Sequence, residues 1–203
     1  MRLRTESVST GALLLIGGAA WLVSVWRMTG MEMGMGLGSL PFFALTWTVM
    51  MAAMMLPSAL PVASGLDGFA PFAFAASYVA VWGLAGLAAF VAYRGIHAAE
   101  AGVVLVAATY ELTPLKRRCL ASCRDGVGSN TNGFTAGVRY GVRCLGCSVG
   151  LMLVLLALGA MSVTWMLLVA ALVFVEKVPR FGASLVEPVA LLLVGLGAMT
   201  LTM

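Results

Sequence analysis

The sequence predicts an all-α fold, a polytopic bundle of transmembrane helices, and three observations predict it. Of the 203 residues, 62% are hydrophobic and only 10% charged, against about 25% charged in a typical soluble domain. The mean hydropathy is +1.03. The apolar residues also gather into stretches of about membrane length, parted by short turns that carry glycine, proline or charge. Residues 1–203 therefore read as a single transmembrane domain of about seven spans.

Each span has its own boundary signals. Span one, 11–26, lies between MRLRTES and a loop, and Trp21 and Trp26 suit a membrane interface. No small-residue cleavage site precedes that loop, so the first span reads as uncleaved. The loop, RMTGMEMGMGLGS, is rich in glycine and methionine. Span two, 40–60, contains TVMMAAMMLPS, with Pro57 and Pro61 near its end. A polar turn around Asp67 leads to span three, 71–93, and Arg94 and His97 mark the next turn. Span four, 99–112, is barely long enough and closes with YELTP. A basic cysteine-containing loop and helix start follow over 116–147. The amphipathic stretch 134–142 opens span five, which continues to Met161. Span six, 163–175, ends at EKVPR, and span seven runs from 185 to the last residue.

Charge orients this bundle. With the N-terminus inside, the cytoplasmic segments hold Arg2, Arg4, Lys116, Arg117, Arg118, Arg124, Arg139, Arg143, Lys177 and Arg180. Only Arg27 and Arg94 fall on the other side. That asymmetry is the positive-inside pattern, and it places the chain in a bacterial inner (cytoplasmic) membrane as a multi-pass protein. The net charge of +4 then belongs to loops beside a bilayer. No module interleaves basic and stacking aromatic residues, so nucleic acid is excluded as a partner.

Polar chemistry concentrates in KRRCLASCRDGVGSNTNGFTAGVRYGVRCLGC, which holds all 4 cysteines of the chain. They run Cys119-x3-Cys123 and Cys144-x2-Cys147. If both pairs are helical, each lies on one face. Two such pairs offer four thiolates to one soft metal ion, with copper favoured and zinc the alternative. The x3 spacing does not match a zinc-ribbon knuckle. On the cytoplasmic side the thiols stay reduced. Arg139 and Arg143, one turn apart and leading to Cys147, favour thiolate, so a reactive dithiol fits the spacing as well.

Methionines form two further groups. Met28, Met31, Met33 and Met35 crowd the outer loop, and Glu32 adds an oxygen donor there. Thioethers bind Cu(I) without losing a proton, but such a loop also suits an adaptable interfacial segment. Met50, Met51, Met54 and Met55 cover an arc of about 140° on span two. They form either a soft-metal relay or a packing stripe. The M-x3-M pair also resembles the selectivity motif of eukaryotic copper-uptake channels, although nothing else in the chain does.

Glu111, near the end of span four, is costly to bury as a charge and needs a partner. Arg139, Arg143 and Lys116 are the candidates, and Glu176 and Lys177 can join the same cluster or snorkel to headgroups. His97 is the single histidine, so a histidine-rich metal site is excluded. No Gly-rich phosphate loop, H-E-x-x-H or Ser-His-Asp set is found, which favours a binding protein over an enzyme.

WTVMMAAMMLPSALP, YELTPLKRRCLASCR, GVRYGVRCLGCSVGLMLVLLALGAMSVTWM and VEKVPR together resemble a bacterial family of predicted metal-binding integral membrane proteins. The likeness covers about residues 47–180 and is most specific at the cysteines. It implies that Met50, Met51, Met54, Met55, Glu111, Cys119, Cys123, Cys144, Cys147 and Glu176 lie on shared motifs. The family pattern often carries a His near Cys123 and another near Tyr140. This chain has Ser122 and Tyr140 there.

Three functions fit these features. One is a membrane protein that captures, transfers or delivers Cu(I), passing it to a metallochaperone partner. Another is a small assembly subunit of a respiratory or photosynthetic membrane complex, since small residues permit close helix packing. The third is a membrane thiol oxidoreductase built on Cys144 and Cys147.

Overall fold

The structure is a computed structural model and describes residues 2–29, 39–98, 100–126, 132–159, 163–177 and 187–195. All secondary structure among them is helical. The elements are α1 (Arg2–Thr29), α2 (Leu40–Ala63), α3 (Ala70–Ala98), α4 (Glu100–Glu111), α5 (Pro114–Arg124), α6 (Gly133–Gly159) and α7 (Val163–Lys177). A last helix, α8, covers 187–195. Among the described residues, three stretches are long and apolar enough to cross a membrane: Leu40–Ala63, Ala70–Tyr93 and Gly133–Ala157. Gly11–Trp26 and Gly102–Glu111 are shorter apolar helices.

Two boundaries differ from the sequence expectation. Arg94 and His97 lie inside α3, which continues to Ala98. The apolar stretch of sequence ends before the helix does, so hydropathy misplaces the turn. Cys119 and Cys123 stand on a helix, α5, rather than in a loop. Thr113 caps it by accepting from the Lys116 amide at 3.3 Å, and Pro114 occupies the first turn, where its missing N–H costs nothing. Asp125 closes the helix, and Gly126 turns the chain away at φ +73°, a conformation that favours glycine. Pro57 and Pro61 both lie within α2.

The chain packs as two compact units, residues 1–90 with 126–142 and residues 91–125 with 143–203. In the first unit α1 packs on α2. The Trp47 indole N–H donates to the Trp82 carbonyl at 2.9 Å, tying α2 to α3. Phe43 stacks on Trp47 with ring centroids 5.6 Å apart. Asn132 caps α6, its Oδ1 accepting from the amides of Phe134 at 2.9 Å and Thr135 at 3.3 Å. Gly133, Gly137 and Gly141 then let this helix lie directly on Ala70, Phe74, Ser77 and Val81 of α3, as small residues at i,i+4 permit.

In the second unit the C-terminal part of α6 meets α4 and α5, while α5 also contacts α7. Outward-facing positions are frequently apolar: Leu15, Leu22, Leu84 and Val91 are all exposed.

Candidate functional site

All 4 cysteines belong to the second unit. The buried stripe of α5 is Lys116, Leu120 and Cys123, an i,i+4,i+7 series that points one cysteine inward. Arg117, Arg118 and Arg124 take the exposed face. On α6, Cys144 and Cys147 sit one turn apart and are both buried.

These helices bring Cys123 Sγ to 3.6 Å from Cys147 Sγ. Cys147 also donates to the Cys144 carbonyl at 3.2 Å and lies 3.6 Å from the Ser148 hydroxyl. Lys177, the last residue of α7, donates from Nζ to Cys144 Sγ at 2.8 Å. One sulfur pair thus faces across α5 and α6, while the sulfur one turn earlier on α6 meets an ammonium. Cys119 stands against bare backbone instead: a Cβ on Gly146 would lie 2.9 Å from its Sγ. Among the described residues no set of three or more His, Cys, Asp or Glu side chains is arranged to hold a metal ion. Of the four cysteines, the structure sets Cys123 and Cys147 face to face and turns Cys144 to Lys177.

A buried ionic cluster belongs to the same unit. Lys116 Nζ donates to Glu111 Oε2 and, at 2.8 Å, to Glu176 Oε2, and all three side chains are buried. Such a group is held together by mutual attraction because each charge would be costly alone. Burial pushes the Lys116 ammonium below its ordinary pKa, and Glu176 opposes that shift. Two acceptors, Glu111 Oε1 and Glu176 Oε1, are buried without a hydrogen-bond partner. Backbone approaches closely here too, since a Cβ on Gly150 would fall 2.7 Å from Glu111 Oε1. The Tyr110 hydroxyl donates to the Gly146 carbonyl at 2.5 Å, and Arg124 donates to the Glu176 carbonyl.

Of the partners expected for Glu111, Lys116 is one that the structure supplies. Arg143 is half-buried at the start of the second unit's part of α6, whereas Arg139 is exposed in the first unit. Met50, Met51, Met54 and Met55 are buried in the core of the first unit. Met31, Glu32, Met33 and Met35 lie outside the described residues.

Two features of the site were missed at the sequence level. Lys177 reads as a charge closing an apolar span, and nothing in the linear order pairs it with Cys144. Gly146 and Gly150 are spaced i,i+4, a small-residue signal that marks close helix approach. That signal was available.

The family model described as "PpoB2: Copper chaperone" matches residues 44–200, more than half of the chain. No curated protein and no solved structure matches it.

Proposed function

We propose that this chain, which belongs to the PpoB2 copper chaperone family, is an integral membrane protein that holds Cu(I) between Cys123 and Cys147 and passes it to a partner. One observation carries the reading: two buried sulfurs facing each other at 3.6 Å. A soft monovalent ion needs few donors, and two thiolates satisfy it; harder ions demand more ligands, with nitrogen or oxygen among them. Loading replaces thiol protons by the ion, so binding releases protons. Cys119 is directed at Gly146, and Cys144 is engaged by Lys177.

The membrane assignment rests on three helices of spanning length and on the exposed apolar side chains of α1 and α3, which are favourable against lipid. About seven spans in a bacterial inner membrane, with the N-terminus cytoplasmic, complete it, because the basic residues then fall overwhelmingly inside. The copper site lies on the cytoplasmic side in that arrangement, and the partner is a copper-accepting protein. Met50, Met51, Met54 and Met55 serve as core packing, in line with their burial.

Metal analysis of detergent-purified protein from copper-grown cells tests the proposal. Wild type and C119S carry copper, while C123S and C147S lose it. Zinc in its place, or copper retained by C123S and C147S, overturns it.

A further inference from the structure

The contact between Lys177 and Cys144 is unused in the reading above, and it has the geometry of a competitor. Nζ donates to the Cys144 sulfur at 2.8 Å, occupying the lone pair that a soft ion would take. Cys144 is fully buried and Lys177 nearly so, so water does not readily replace either partner. Cys144 stands one helical turn before Cys147, whose thiol lies 3.2 Å from the Cys144 carbonyl and 3.6 Å from Cys123 Sγ. A third sulfur therefore adjoins the two-sulfur site and is covered by an ammonium.

We infer that Cys144 is a reserve third ligand for the bound ion and that Lys177 masks it, setting how tightly the ion is held. The inference rests on the Cys123–Cys147 copper site proposed above. With Lys177 on Cys144, two sulfurs hold the ion and it leaves readily to an acceptor. With Lys177 displaced, Cys144 completes a three-sulfur set and the ion is retained.

A displaced ammonium needs another acceptor in equally buried surroundings, and the unit provides candidates. Glu111 Oε1 and Glu176 Oε1 are buried and unpartnered, whereas an isolated carboxylate oxygen normally finds a donor. Glu176 is the residue next to Lys177 on α7. Moving the ammonium from sulfur to carboxylate changes no oxidation state, and the Cys144 thiol releases its proton to solvent as its sulfur joins the ion. Its cost is a hydrogen bond exchanged for another, and sulfur is the weaker acceptor of the two.

Copper-edge X-ray absorption on the Cu(I)-loaded full chain in detergent tests this, together with the rate of Cu(I) transfer to bicinchoninate. Wild type shows two sulfur neighbours and K177M three, with transfer slowed about tenfold, since retention by an added ligand acts mainly on dissociation. K177R keeps the charge and returns to two sulfurs, a rescue that a merely structural lysine would not produce. C144S added to K177M also returns to two. K177A is read in the same way should the methionine variant not fold. Two sulfurs and unchanged transfer in the neutral variants, or three sulfurs already in wild type, overturn the inference and leave the copper site standing. Absence of copper from wild type overturns both.

Discussion

Cys123 on α5 and Cys147 on α6 are 24 positions apart in sequence, and their sulfurs meet at 3.6 Å. A disulfide needs about 2.05 Å between sulfurs, so the pair is not bonded, yet only a small rotation separates it from closure. Mild oxidation of the metal-free protein with peroxide should therefore link Cys123 to Cys147, two thiols giving up two hydrogens to form water. Cys119 should remain open to alkylation. Peptide mass spectrometry reads the linkage, and a dominant Cys119 disulfide would contradict the geometry. Prior loading with Cu(I) should protect the pair.

The Lys116 bridge makes a stability prediction. Replacing Lys116 with Met leaves Glu111 and Glu176 buried without their shared cation, and loss of one member of a buried ion pair costs about 3–5 kcal/mol. Glu111→Gln keeps an acceptor for Lys116 and should cost less. Denaturant unfolding in detergent ranks the two, and equal stability for K116M and wild type would refute the bridge.

Gly146→Ala should cost about 1–3 kcal/mol as an overpacking change, because the new methyl meets Cys119 Sγ at 2.9 Å. The sulfur is the end of a side chain, so Cys119→Ala should relieve most of that cost. A double-mutant cycle measures the coupling. Gly137→Ala offers no such escape: its methyl meets the backbone carbonyl of Phe74 as well as the Ser77 hydroxyl. No single side-chain truncation on α3 should restore it.

Met51→Leu with Met55→Leu separates packing from ion passage. Volume is nearly kept, so stability should fall by less than about 1.5 kcal/mol, and the copper content of purified protein should match wild type. A selective loss of copper with the fold intact would instead favour the thioether relay.

Reporter fusions check the orientation. One at the N-terminus and one at Asp125 should both report the cytoplasmic side, whereas activity of either across the membrane would reverse the assignment.

Much of this architecture can be read from hydropathy and spacing. The apolar runs of α2, α3 and α6 are plain in the residues, and the expected amphipathic opening over 134–142 is the start of α6. The i,i+4 and i,i+3 spacings allow each cysteine pair to share one helix, and α5 and α6 hold them so. Lys116 is near enough in sequence to Glu111 to be weighed as its partner. Spacing says nothing, however, about rotation of one helix against another. That rotation turns Cys123 toward Cys147 and leaves Cys119 against Gly146. It also gives Cys144 to Lys177, 33 residues away, a contact set by tertiary packing alone. The extension of α3 through Arg94 and His97 was hidden because hydropathy records where apolar surface ends, which need not be where a helix ends.

Where α4 and α5 press on α6, they meet Gly146 and Gly150, and so the width of the gap between the facing thiols is fixed by peptide geometry. Residues lining it can change identity without altering the spacing. A descendant of this protein could retune its cargo by exchanging one donor at a time, whereas a methyl group added to that glycine face would spread the jaws for every ion alike.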